Sequence, residues 1–378
     1  MHLNHLSEIT LKNGLIMKKE RLLYLIPHLQ KSGPVEQLRS LIKNIDDNKY
    51  DVYIVTLFKE RQNSLLSDFQ NLGCRVIQLN CSYYNLIRQR YQLKKTIQKI
   101  TPDIIHSNSV FTDIAVKGNS DNHKLVITQH NYIYEDLIPK YGRAAGTILA
   151  LLEKKAILYA DTVVACSNTL KNKYKKIING DIVAIPNGID IDEWNCSYKG
   201  KNELRNDLGI PENKHVFLST GLLIKRKNPV LIIDAFLQSK CHDSVLVMLG
   251  DGDCFDECKK RAGSSSNIIF KGRVNNVKDY LFAADTFISA SSSEGLPYAV
   301  MEAECTGIKM ILSDIPQHYE VGAGEDIDYF DINNKQSLIQ LLIDNSKHEE
   351  RIKYNLDRIS AKSMADSYMK LYESLAER

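Results

Sequence analysis

The sequence predicts an α/β protein made of two doubly wound parallel-sheet domains, and three observations carry that prediction. The chain has 378 residues, two to three times the usual single-domain length. Short β-branched runs alternate with amphipathic stretches from end to end, the pattern of parallel sheets covered by helices. That alternation breaks once, at the turn Pro186-Asn187-Gly188 and the polar stretch Asp192 to Asn206, which holds the only tryptophan, Trp194, and then restarts.

Taken in order, residues 1–20 form a leader of undecided order. Met1 to Lys18 lacks the continuous apolar core of a signal peptide. Met17, followed by Lys18, Lys19 and Glu20, reads as a plausible alternative start, so whether residues 1–16 belong to the native protein stays open. Seven strands follow: Arg21 to Ile26, Val52 to Thr56, Arg75 to Leu79, Ile104 to His106, Lys124 to Thr128, Thr162 to Ala165 and Ile182 to Ile185. Between the first two, Val35, Leu38, Leu41, Ile42 and Ile45 recur at three-and-four spacing, one apolar stripe on a helix. After the break come Val216 to Thr220, Ser244 to Leu249, Ile268 to Lys271, Thr286 to Ser289 and Lys309 to Ser313. No antiparallel hairpin signature interrupts either set. The predicted domains are 21–190 and 191–350. Residues 351–378 form a final helix, striped by Met364, Tyr368, Leu371 and Tyr372, that packs back across the interdomain seam. Sheets of this kind bind ligands at the carboxyl ends of their strands, so the cleft between the domains is the expected site.

Composition excludes several classes. A hydrophobic share of 43 %, a charged share of 25 % and only 19 Gly and 9 Pro leave no room for collagen, coiled coil or disorder. Lys+Arg 49 against Asp+Glu 46 leaves a net charge of +3, too small to draw a nucleic acid by global attraction. A bound anion must therefore be met by local geometry. The eight cysteines (Cys74, Cys81, Cys166, Cys196, Cys241, Cys254, Cys258 and Cys305) are scattered irregularly, the usage of a reducing compartment. Cys254-x3-Cys258 has no second pair and its nearest histidine is His242, so two ordinary thiols are expected rather than zinc. The longest near-apolar run, Ala144 to Leu152, is about nine residues where roughly 20 span a bilayer. The expected location is cytoplasmic, with association at the inner membrane face left open.

The most informative stretch is Ser289 to Gly307, SASSSEGLPYAVMEAECTG. A small polar loop ends at Glu294-Gly295-Leu296, Pro297 fits a first helical position, and Gly307 stops the helix. Such a helix aims unpaired N–H groups and its positive dipole end at an incoming diphosphate. Glu294 and Glu302 are about 12 Å apart at roughly 1.5 Å per residue, too far to share a proton or a metal but able to grip hydroxyls at two ends of an elongated ligand. A nucleotide sugar has that shape; the plainer account is a carboxylate at a helix dipole and a solvated face. The second constellation, Gly221-Leu222-Leu223-Ile224-Lys225-Arg226-Lys227-Asn228-Pro229, sets three cations at the top of a strand. They would neutralise a leaving diphosphate without a divalent ion, or form only a solvated turn.

The run Glu294-Gly295-Leu296-Pro297 to Glu302-Ala303, followed by Gly307 and by Ser313-Asp314 to Glu320, resembles the nucleotide-sugar site of the retaining GT-B glycosyltransferases of family 4. Further blocks resemble the same family in the same order: Gly33 to Leu38, Asp103 to Ser107, Thr128 to Asn131, Ala160 to Ser167, Ile185 to Asp190, Lys225 to Pro229, Gly250 to Gly252 and Gly272 to Val274. The resemblance implies the GT-B fold, two Rossmann-like domains facing across a cleft, the first binding acceptor and the second binding the nucleotide sugar. It implies that Glu294 contacts the donor sugar, Glu302 binds ribose hydroxyls, and Lys227 meets the diphosphate. Gly33 would lie in a glycine loop over the phosphates, His130 would line the sugar, and Val274 with Arg273 would meet the base. Gly221, Gly295 and Leu296 complete the implied donor site.

The chain departs from the family at three places: Leu222 stands where arginine commonly follows the glycine, Lys309 where proline is usual, and Gly33 replaces a glycine pair with Pro34 beside it. Arg226 is expected to take over the missing charge. His106 is expected to be a satisfied structural histidine. The segment Tyr83 to Lys99 carries Arg88, Arg90, Lys94, Lys95 and Lys99 among Tyr83, Tyr84 and Tyr91 with no acid; it is either a solvated face or a surface for anionic lipid. The expected activity is transfer of a sugar, UDP-linked sooner than GDP-linked, to a glycan or polyprenyl-linked acceptor with retention, in assembly of a capsule, O-antigen or exopolysaccharide. No cofactor and no metal are expected, and no nucleic-acid partner. A sugar-nucleotide epimerase or a non-catalytic nucleotide-sugar binder on the same fold are the alternatives. A dinucleotide dehydrogenase is disfavoured, because Pro27 to Pro34 has one glycine where the fingerprint needs three. Donor sugar, acceptor, linkage and oligomeric state cannot be read, the acceptor loop Asn131 to Tyr141 included.

Overall fold

A computed structural model of the protein describes residues 9–12, 15–61, 63–119, 123–194, 199–322, 324, 326–348 and 350–377; Cys196 and the first eight residues of the leader lie outside them. Within the leader, β1 (Ile9–Lys12) and β2 (Leu15–Lys18) pair antiparallel, Ile9 opposite Lys18. This hairpin was not expected from the sequence, and it stands apart from the two parallel sheets. The chain divides into two compact units, residues 1–188 with 361–378, and residues 189–360.

The first unit holds β3 (Glu20–Ile26), β4 (Tyr50–Thr56), β5 (Arg75–Gln78), β6 (Ile104–Ser107), β7 (Lys124–Gln129), β8 (Thr162–Ala165) and β9 (Ile182–Ala184). They align as β5-β4-β3-β6-β7-β8-β9 with every neighbouring pair parallel. A parallel sheet needs helical crossovers on its faces, so its central strands are buried on both sides. Leu22, Leu23, Tyr24 and Leu25 of β3 are accordingly shut away from solvent. The helix Gly33–Lys43 covers one face with Val35, Leu38, Leu41 and Ile42. Gly33 is its first residue rather than part of a glycine loop, because Pro34 fixes a helical φ directly after it.

The last helix, Ala361–Ala376, packs into this same core through Met364, Ala365, Tyr368, Tyr372 and Leu375. Burying Met364 and Leu375 contributes roughly 1.5–3 kcal/mol each. A buried polar chain pins the helix to the sheet: Tyr24 Oη lies 3.0 Å from Tyr372 Oη, which lies 2.7 Å from His106 Nδ1, while His106 Nε2 is 2.7 Å from Thr128 Oγ1. Both ring nitrogens of His106 are thus satisfied, and burial pushes its pKa down to about 3, so it is a neutral structural group. The helix begins later than the sequence suggested. Residues 351–356 are not helical because their polar groups are used elsewhere: Arg351 donates to the carbonyls of Phe282 and Ala284 at 2.6 and 2.9 Å, and Ile352 N to Gly307 O at 2.7 Å.

The second unit holds β10 (His215–Thr220), β11 (Ser244–Leu249), β12 (Ile268–Gly272), β13 (Thr286–Ser289), β14 (Lys309–Ser313) and β15 (Ile327–Phe330), in the order β12-β11-β10-β13-β14-β15, all parallel. There are six strands where five were expected. The missed one, β15, is a four-residue edge strand in which only Ile327 and Phe330 are buried, too short to show a period. Cys254 and Cys258 lie in the hydrophobic core with Phe236, Met248 and Ile268, and burial pushes the Cys258 thiol up to about 11. Strand order reverses between β10 and β13, which makes the carboxyl ends of these two strands the switch point where a doubly wound sheet receives its ligand.

At that edge the backbones of two loops nearly touch. Gly250, just past β11, has φ +124°, and a Cβ added there would sit 1.8 Å from the carbonyl oxygen of Gly221. Gly209 also has a positive φ (+61°), but its nearest neighbour is the flexible Lys271 ammonium at 3.7 Å. Gly250→Ala should therefore lower unfolding stability by about 3 kcal/mol or more, through strain plus displaced backbone, whereas Gly209→Ala should cost about 1 kcal/mol. Urea unfolding of the two variants checks the contrast, and equal losses would refute the close approach.

Candidate functional site: a buried carboxylate between two cations

Two loops meet at the switch point of the second unit. The first leaves β10 through Gly221 (φ +125°), turns at Lys225–Lys227, and enters the helix Pro229–Ser239 by way of Asn228 in the left-handed region (φ +53°). The other leaves β13 and enters the helix Tyr298–Thr306, which Pro297 precedes as cap rather than opens and which Gly307 ends at φ +68°. The loops are stitched by one backbone bond and one side-chain bond: Ser292 N donates to Arg226 O at 2.8 Å, and Arg226 Nη1 donates to Ser293 O at 2.6 Å.

Glu294 stands at the junction, 7 % exposed. Its Oε2 accepts from Arg226 Nη1 at 2.8 Å, and its Oε1 accepts from Lys227 Nζ and from Ser291 Oγ, the latter at 2.6 Å. Burial alone would raise the Glu294 pKa, but the charges of Lys227 and Arg226 outweigh it and hold the carboxyl down to about 2. The loop is braced from behind by the helix Pro316–Val321: Gln317 Nε2 donates to Glu294 O at 2.7 Å, and Ser313 Oγ, at the end of β14, donates to Ser291 O at 2.6 Å. His318 Nδ1 donates to Ser313 O at 2.8 Å, and burial lowers its pKa to about 4, so it is a neutral brace. Sequence reasoning assigned no role to Gln317 or His318, since neither has a periodicity or a charge that marks it.

A pocket beside this junction is lined by Thr220, Gly221, Leu222, Lys227, Pro229 and Ser291. The structure thus brings together Gly221, Arg226, Lys227 and Glu294, with Gly295 and Leu296 buried directly after the carboxylate. Leu222 is 62 % exposed at the pocket. Glu302 lies half-buried within the helix Tyr298–Thr306, whereas Glu294 lies in the loop before it, and Val274 lies on the loop after β12, three strand positions from β13. Gly33 and His130 belong to the first unit.

His130 follows β7 directly. Its Nε2 is inaccessible to solvent and has no hydrogen-bond partner among the described residues, and burial lowers its pKa to about 4, so the ring is neutral at pH 7. A buried ring nitrogen left unpaired costs on the order of 1–3 kcal/mol. Cys166 Sγ donates weakly to the His130 carbonyl at 3.6 Å.

The depressed pKa of Glu294 sets a stability prediction. The ionised carboxylate favours the folded state at every pH above its ordinary value near 4.5, and that contribution is lost as pH falls through about 2. Glu294→Gln should destabilise the ligand-free protein at pH 7 by on the order of 3 kcal/mol. Urea unfolding at a series of pH values should show the advantage of the native chain narrowing below pH 4.5; a gap independent of pH would contradict the ion pair.

Against known proteins, the chain matches the profile of Glycosyltransferase Family 4 over residues 32–193 and that of Glycosyl transferases group 1 over residues 200–358. It is 25 % identical over 368 residues to the O-antigen biosynthesis glycosyltransferase WclY of Escherichia coli, covering 94 % of this chain and 98 % of that one. A second Escherichia coli relative, UDP-Gal:alpha-D-GlcNAc-diphosphoundecaprenol alpha-1,3-galactosyltransferase, is 28 % identical over 256 residues, 64 % of each chain. Among solved structures, HepE of Anabaena in complex with UDP and glucose superposes with a TM-score of 0.75 at 17 % identity, over 94 % of this chain and all of that one. With both halves matched in order and both sheets doubly wound, the chain belongs to the glycosyltransferases of family 4 and has the GT-B fold.

Proposed function

We propose that the protein transfers a sugar, with retention of anomeric configuration and without a metal, from a UDP-sugar to a glycan or polyprenyl-linked acceptor in assembly of a surface polysaccharide. The observation that carries this reading is the Glu294 carboxylate held between Arg226 and Lys227 at the switch point of the second sheet. Two cations there meet the diphosphate and neutralise it as it leaves, while Glu294, ionised at neutral pH, accepts hydrogen bonds from sugar hydroxyls. Glu302 takes the ribose hydroxyls, Val274 the base, and Gly33 approaches the phosphates. The unpartnered Nε2 of His130 hydrogen-bonds the transferred sugar. The leaving phosphate oxygen, on the same face as the incoming hydroxyl, takes the acceptor proton. The names of the two Escherichia coli relatives, one an O-antigen enzyme and one acting on a diphosphoundecaprenol-linked sugar, support the setting and the acceptor class, and the HepE complex supports UDP.

The same reading puts the protein at the inner face of a membrane. No helix among the described residues is long and apolar enough to cross one. The helix Leu86–Ile100, however, turns Ile87, Tyr91, Arg88, Lys94, Lys95 and Lys99 outward, with Tyr84 fully exposed just before it. Aromatic and aliphatic tips among cations, with no acid, suit anionic headgroups, each cation contributing about 1 kcal/mol. Vesicles rich in anionic lipid should retain the protein at low salt and release it at high salt.

A thermal-shift screen against UDP-, GDP- and ADP-sugars, with and without magnesium, tests base, sugar and metal need together. Among these, a UDP-sugar should raise Tm without magnesium. Lys227→Ala and Arg226→Ala should each weaken UDP binding about tenfold, and full affinity in Arg226→Ala would exclude its part at the diphosphate. His130→Ala and Glu294→Ala should abolish turnover, where a mere binder would lose affinity at most. Inversion at the anomeric centre of the product would overturn the retaining mechanism.

A further inference from the structure

We infer that Tyr174 is a positioning residue for His130: its hydroxyl clamps the residues on either side of that histidine, and a buried carboxyl pair, Asp113 and Glu153, anchors the clamp. Tyr174 ends the helix Asn168–Tyr174 and is wholly buried. Its Oη lies 2.7 Å from the Gln129 side-chain oxygen and 3.0 Å from the Asn131 carbonyl oxygen, so one hydroxyl proton is offered to the residue before His130 and to the residue after it. The amide of Gln129 is fixed from its other end, donating to Glu153 Oε1 at 2.8 Å and Asp113 Oδ2 at 3.3 Å. Lys173, next to Tyr174, pairs with Glu135 at 2.7 Å and ties the same helix to the segment that follows His130.

The anchor is built from two acids that cannot both ionise where they are. Asp113, on the helix Val110–Val116, and Glu153, on the helix Arg143–Ile157, are at most 1 % exposed, and neither has a cation among its bonded partners. Burial, then the neighbouring carboxylate, raises Asp113, and burial raises Glu153. Their second oxygens, Asp113 Oδ1 and Glu153 Oε2, have no hydrogen-bond partner among the described residues, and a single proton held between the two neighbouring carboxyls would satisfy the set. A network this fully tied has one arrangement, and it fixes the backbone from Gln129 to Asn131 and hence the direction of the His130 ring.

This inference rests on the role proposed for His130, and the test keeps the two apart. Tyr174→Phe retains the ring and removes only the hydroxyl. In the ligand-free full chain, long-range nitrogen–proton NMR should show one sharp set of His130 ring signals in the native protein and broadened or doubled signals in Tyr174→Phe. Turnover of the donor found by the screen should fall about tenfold, while the Kd for UDP, whose proposed cation partners Arg226 and Lys227 lie in the other unit, should stay within twofold. Glu153→Gln, which keeps hydrogen bonding where a shared proton is required, should behave as the native chain in both measurements. Unchanged ring signals in Tyr174→Phe, or a loss of UDP affinity equal to the loss of turnover, would overturn the clamp. An inert Tyr174→Phe beside a dead His130→Ala overturns the clamp and leaves the function standing. Full turnover in His130→Ala overturns the role of His130 and the catalytic purpose of the clamp together.

Discussion

The second unit of this protein depends on one buried carboxylate being ionised. Glu294 is almost closed to water, and a lone carboxylate at such a depth would take up a proton. It stays charged because Arg226 and Lys227 reach it from the loop after β10 and Ser291 from its own loop. That one requirement fixes the surroundings. The β10 loop must turn sharply enough to deliver two successive cations, which Gly221 and Asn228 allow at positive φ, and Gly250 must leave room for the Gly221 carbonyl. The β13 loop must not drift, and Gln317 and Ser313 hold its carbonyls from behind. Removing any of these loosens the same ion pair.

The two units solve one problem with different chemistry. Each has a doubly wound sheet whose strand ends carry polar residues into a buried setting, where every polar atom needs a partner. In the second unit the solution is ionic and local, with Ser313 and His318 completing it. In the first it is a chain of neutral hydroxyls and an imidazole, Tyr24, Tyr372, His106, Thr128 and Tyr368, that docks the last helix. Breaking a neutral chain costs less than unpairing a charge, yet acid reaches both units: His106 in the first and His318 in the second are held neutral by burial while the unfolded chain takes up protons below the ordinary imidazole value near 6.5.

How much of this was legible followed from how local each signal is. The central strands of both sheets show as β-branched runs because burial on two faces demands them, while β15, an edge strand interrupted by Asp328, buries only Ile327 and Phe330. The cations at Lys225 to Lys227 and the acid at Glu294 could be read as one site because both lie at strand ends adjoining the switch point. Gln317 and Tyr174 could not, since their roles are set by contacts with residues 23 and 45 positions away along the chain, and nothing in their own neighbourhood marks them. The last helix was read too early because Arg351 sits in a sequence of good helical character; tertiary bonds to three carbonyls overrode that propensity.

Leu222 raises the question whether the site has lost a cation it needs. With arginine absent there, Lys227 is the cation that lines the pocket, Arg226 stands next to it in the same loop, and both are already engaged by Glu294. A point charge engaged on one side is not exhausted: Lys227 Nζ has three donors, and the guanidinium of Arg226 has five in a planar fork. The bonds Arg226 makes to Glu294 and to Ser293 O both come from Nη1, which leaves Nη2 and Nε for a phosphate oxygen. Arg226 can therefore hold Glu294 and a diphosphate at once, whereas a lysine at that position would have to divide one compact charge between them. Under the proposed function, the free edge of the Arg226 fork would supply the charge that Leu222, exposed beside the pocket, does not.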